Sequence, residues 1–68
     1  MNKYICLPCY LQVQSQGLAE SNKVIINPDK INSIIILDDD FCEIFLDNKI
    51  SYIVSNNDFK KFYTIDEL

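Results

Sequence analysis

Short apolar runs, rich in β-branched and aromatic side chains and broken at close intervals by turn-forming residues, recur along this chain: YICLPCYLQVQ at 4–14, VIIN at 24–27, SIIIL at 33–37, FCEIFL at 41–46 and ISYIV at 50–54. Most are too short for helices, and their side chains are those that a pleated, half-buried surface accommodates best. From Tyr10 the first run alternates, with Tyr10, Gln12 and Gln14 on one side and Leu11 and Val13 on the other, the period of a strand with one face in water. Pro8 has no amide hydrogen to give to a ladder, so it marks an edge, a bulge or the beginning of that strand. Residues 33–37, with three consecutive isoleucines and Leu37, read as a strand buried on both faces or nearly so.

The intervening segments carry turn chemistry. Residues 15–23, SQGLAESNK, show no pattern, and Gly17, Ser21 and Asn22 suggest a loop. In NPDK, Asn27 can bond back onto the backbone and Pro28 presets φ for the second position of a type I turn; Asp29 follows, so one helical turn is expected, with Ile31 pointing inward. Asp38, Asp39 and Asp40 repel one another and stay in water as a turn. DNK at 47–49 is a hairpin turn in which Asn48 tolerates positive φ; Lys49 stands where a glycine would have specified the turn, so the register stays open. The last element is a helix of about two turns. Ser55 and Asp58 resemble a capping box, Phe59, Phe62 and Tyr63 form one apolar stripe, Lys60 and Lys61 face water, and Asp66 and Glu67 oppose the dipole and suggest fraying. The expected fold is one small domain over residues 1–68, mainly β (small α+β): an antiparallel sheet of about four to five strands with one short C-terminal helix packed on one face.

Length and charge exclude several functions. A 68-residue chain buries only roughly 60% of its unfolded surface and is marginal unless a disulfide, a metal or a partner helps. An apolar fraction of 49% argues against disorder. The six basic residues are all lysines, with no arginine and no histidine, so the usual tools of phosphate recognition and acid–base catalysis are missing. A net charge of −4 disfavours nucleic acid and anionic membranes as partners. No apolar run approaches about 18 residues, and the first twenty residues make a poor signal peptide, with a weak basic start and Gln12, Gln14 and Gln16 following at once. The abundance of isoleucine, asparagine and lysine without arginine has the look of an AT-rich bacterial or phage genome.

NPDKINSI followed by EIFLDNKISYIVSNNDFKKF resembles the small FlbD-like proteins linked to bacterial flagella and swarming. The likeness spans about residues 24–63 and rests on Asn27, Pro28, Asp29, Ile31, Ile34, Ile44, Leu46, Asn48, Tyr52 and Val54. Lys49 replaces the turn glycine of that family, and the amino-terminal arm is longer and carries cysteines. The resemblance implies a small β-rich module with an interaction or regulatory role and no catalytic residues.

Three residue groups are candidates for chemistry. Cys6 and Cys9 form a Cys-x-x-Cys, but a strand pattern follows where a redox motif needs a helix. A zinc site would need Cys6, Cys9 and Cys42 together, completed by Asp38 or Asp40, or a pair of thiols from each of two chains. The plainer expectation is that the three thiols are small apolar side chains in or beside the core, with no metal and no cofactor; an odd number favours a reducing, cytoplasmic setting. Asp38, Asp39, Asp40 and Glu43 form the densest charge cluster, without the spacing of an EF-hand. They are either a solvated turn or an acidic surface that meets a basic partner. Tyr4 and Tyr10 are candidate interface anchors. So short a chain is expected to enclose no concave pocket, hence no catalysis. The expected role is an intracellular protein-interaction or regulatory module, self-associating as a homodimer through an edge strand or an open sheet face; the alternative is a phage or mobile-element inhibitor working through the acidic patch.

Overall fold

A computed structural model describes residues 4–62. Five strands, β1 (Ile5–Val13), β2 (Gly17–Ile26), β3 (Ile31–Ile36), β4 (Phe41–Leu46) and β5 (Ser51–Ser55), form one antiparallel sheet in the order β2-β1-β5-β4-β3, and a one-turn helix, α1 (Asn56–Phe59), follows β5. This is the mainly β architecture with a short C-terminal helix that the run pattern predicts. Two hairpin-linked units, β1–β2 and β3–β4–β5, meet where Cys9 and Tyr10 of β1 pair with Val54 and Ile53 of β5.

Strand alternation sends one set of side chains to the core. Leu7, Ile26, Cys42, Ile44 and Val54 are buried on that face, and Phe59 of α1 closes over them. Ile5, Val24, Ile31, Ile34, Leu46 and Tyr52 pack around this cluster, so Ile31 points inward as the turn chemistry implies. Asn27 caps the 3₁₀ turn Pro28–Lys30 by accepting the Asp29 N–H at 3.0 Å. Pro8 sits at a bulge: β1 advances two residues from Pro8 to Tyr10 while β2 advances three, from Lys23 to Glu20.

Four expectations need correction. Residues 17–23 are strand, not loop; β2 is an edge strand with most side chains in water, so it lacks apolar periodicity and is held by its ladder to β1. Residues 33–37 are not buried on both faces, because β3 is the opposite edge of the sheet and Ile35, Ile36 and Leu37 are exposed. The helix makes one α-turn rather than two, Ser55 occupies the N-cap without a side-chain hydrogen bond, and the stripe divides into buried Phe59 and exposed Phe62. Tyr63, Asp66 and Glu67 lie outside the described residues.

The fourth correction concerns the β4–β5 loop. Lys49, not Asn48, takes the left-handed conformation, at φ +68. The Lys49 N–H closes a turn onto the Leu46 carbonyl at 3.0 Å, and Asn48 Oδ1 accepts the Ile50 N–H at 3.1 Å. A β-carbon in this region costs roughly 1–2 kcal/mol. Lys49→Gly is therefore expected to raise stability by about 0.5–1 kcal/mol, the gain being trimmed by the added freedom of the unfolded chain. Gly17→Ala, at φ +79 with open space around the absent Cβ, should lower stability by about 1 kcal/mol for the backbone reason alone. Urea titration checks both, and equal stabilities for the variants and the wild type would contradict this loop geometry.

Candidate functional site

β3 reads INSIII and contains neither a charge nor a proline. Among the described residues it pairs with β4 on one side only. The Leu37 N–H donates to the Phe41 carbonyl at 3.0 Å. The antiparallel alternation then turns the backbone groups of Ser33 and Ile35 toward β4 and those of Ile34 and Ile36 toward the open side. Ile35, Ile36 and Leu37 are 50%, 43% and 44% exposed along this edge. The other edge, β2, is guarded in the ordinary way by Glu20, Lys23 and the bulge beside Pro8.

Behind β3, one row of side chains crosses all five strands on the face away from the core: Ile35, Glu43, Ile53, Tyr10 and Glu20. Tyr10 packs edge-on against Phe41, with ring centroids 4.9 Å apart, and Glu43 accepts the Ser51 hydroxyl at 2.8 Å. Burial, then Glu20 and Asp58, raise the Tyr10 phenol above its ordinary range. Tyr10 is thus part of a half-buried sheet face, whereas Tyr4 lies exposed just ahead of β1.

The acidic turn at the end of β3 is a built structure. Asp38 Oδ1 accepts the N–H groups of Asp40 and Phe41, both at 2.8 Å. Asn56 secures the turn from α1: its backbone N–H donates to the Asp40 carbonyl at 2.8 Å, and Nδ2 donates to the Asp38 and Asp39 carbonyls, each at 3.1 Å. The four acidic candidates therefore separate, with Asp38 closing its own loop, Asp39 and Asp40 in water and Glu43 on the sheet face. The sequence reading missed Asn56; its one signal is an asparagine directly after the helix N-cap, a place more often solvated.

The thiols are dispersed. Cys6 and Cys9 are three residues apart on one strand, hence on opposite faces, with Cys6 exposed and so not beside the core as expected. Cys9 donates to the Asn22 carbonyl at 2.9 Å. Cys42 lies in the core, where burial pushes its thiol up to about 11. Val54 stands between Cys9 and Cys42 in the ladder, which places them about two strand spacings, roughly 10 Å, apart. Among the described residues no group of three His, Cys, Asp or Glu is placed to hold a metal ion, and no helix is long and apolar enough to cross a membrane.

An open groove of about 460 Å³, not an enclosed cavity, lies beside Ile25, Asn27, Lys30, Asp47, Asn48 and Tyr52. Lys30 and Asp47 supply its charged groups, and they meet through the backbone, the Asp47 N–H donating to the Lys30 carbonyl at 3.0 Å. No family model matches the chain, and neither a curated protein nor a solved structure matches it.

Proposed function

We propose that this chain is a small non-catalytic protein-interaction or regulatory module that takes up partners by strand addition at β3. The observation that carries the reading is the edge left open among the described residues, where outward ladder groups at Ile34 and Ile36 coincide with exposed Ile35, Ile36 and Leu37. Main-chain hydrogen bonds supply affinity in this mode of recognition, and alternate side chains supply selection. Three dispersed free thiols suit a reducing compartment such as the cytoplasm. The likeness of residues 24–63 to FlbD-like proteins, which implies an interaction or regulatory role, agrees with this reading. The acidic-inhibitor alternative has less support, because one Asp38 oxygen is occupied by its own turn and Glu43 lies apart on the sheet.

The test is affinity purification of the tagged full chain from its host after cross-linking in the cell, which retains weak complexes, beside Ile36→Lys and a control on the other edge, Ile25→Lys. Partners, whether host proteins or untagged copies, are expected with the wild type and with Ile25→Lys and should fall at least about tenfold with Ile36→Lys, since an edge lysine blocks strand addition. Recovery of the wild type alone, or of the same partners with all three, contradicts the proposal.

A further inference from the structure

Resting on the reading of β3 as a docking strand, we infer that its occupant is β3 of a second copy, added antiparallel about a two-fold axis through Ile35. The free groups belong to Ile34 and Ile36. An antiparallel partner must set outward-pointing residues against outward-pointing residues, and the two-fold through Ile35 does so by placing Ile34 of each copy opposite Ile36 of the other. Ile35 then faces itself, and Ser33 faces Leu37. The paired stretch, residues 33–37, avoids the irregularity between Ile31 and Ser33. Contact between β-branched side chains across such a pair is favourable, and the three exposed apolar residues of the edge are the ones it covers.

Charge selects the same arrangement. Lys30 precedes β3 and the Asp38–Asp40 turn follows it. Antiparallel addition brings Lys30 of each copy toward the acidic turn of the other, nominally opposite Asp40, whereas parallel addition would set the two acidic turns side by side. The face row from Glu20 to Ile35 continues into the second copy, so two five-stranded sheets become one of ten strands. The contact is narrow, below the roughly 1,200 Å² of a stable interface, so a weak dimer is expected, with Kd on the order of 10–100 µM.

Sedimentation equilibrium of the full chain between about 5 and 500 µM reads this directly. The wild type is expected to pass from monomer to dimer across that range. Ile36→Pro removes an amide that points away from β4 and leaves the chain's own ladder intact, and Ile35→Lys sets like charges against each other on the axis; each should weaken the dimer at least about tenfold. If the proline variant loses its β-sheet circular dichroism, the lysine variant decides alone. A wild type that stays monomeric at about 500 µM, or a dimer untouched by the variants that remain folded, overturns the inference. Host partners lost on Ile36→Lys while the wild type is monomeric would leave β3 as a docking strand and discard only the second copy as its occupant.

Discussion

Phe59→Ala is expected to cost about 3–5 kcal/mol, a large share of the roughly 3–10 kcal/mol that holds a domain of this size folded. Phe59 is fully buried and is the largest of the completely buried side chains. It packs with Leu7, Ile44, Val54 and Cys42, which come from three strands that the sheet order would otherwise leave under a bare face. Four residues of helix have no stability of their own, so α1 stays in place through this side chain and through Asn56. Truncation opens a cavity in a core that holds six buried apolar residues among those described and frees the turn that covers it. Phe62→Ala, three residues on and half exposed, is the control and should change stability by no more than about 0.5 kcal/mol. Chemical denaturation followed by circular dichroism compares them, and a Phe59→Ala loss below about 1 kcal/mol would show that α1 does not close the core.

Asn56→Asp is the second large effect. Asn56 is 5% exposed and donates from Nδ2 to two carbonyls of the acidic turn. A carboxylate there exchanges both donors for acceptors that face carbonyl oxygens, inside a region already holding Asp38, Asp39 and Asp40. The expected cost at neutral pH is about 3 kcal/mol or more, against about 1–3 kcal/mol for Asn56→Ala, which loses the bonds without adding a charge. Burial among acceptors raises the folded pKa of such an aspartate above its unfolded value. The extra penalty is therefore full above the folded pKa, shrinks as pH falls through it, and is gone once pH is below the unfolded value of about 4, where the acid is protonated in both states. Denaturation curves at neutral and acidic pH should show the two variants converging on acidification; a constant gap would mean that the side chain at 56 is not held against those carbonyls.

Local chemistry was legible in the residues where the relevant partners lie close in sequence. β4 spans residues 41–46 as its run predicts, Asn27 caps its own turn, and Pro8 sits at a bulge. What escaped depends on pairing between distant segments. The three isoleucines of β3 read as a buried strand, because nothing within 33–37 says that β5 and not β3 fills the centre of the sheet. β2 read as a loop because an exposed edge strand needs only one paired side and shows no apolar period. The placement of Cys6 and Cys9 on opposite faces follows from their odd spacing once the segment is a strand, whereas Asn56 binds carbonyls 17 and 18 residues upstream, beyond any local pattern. The positive φ at Lys49 has a simple local reason: Asn48 uses its side chain to accept from Ile50, and the next residue makes the reversal.

Residue-resolved amide hydrogen exchange in dilute solution, about 0.5 µM, well below the expected dimer range, tests the account most directly. With β3 as an open edge, the amide of Ile35 is protected by β4 while those of Ile34 and Ile36 exchange rapidly, and their protection grows as the protein is concentrated. Equal, strong protection of all three amides at every concentration would place another element against β3 and contradict the edge on which the proposed function rests.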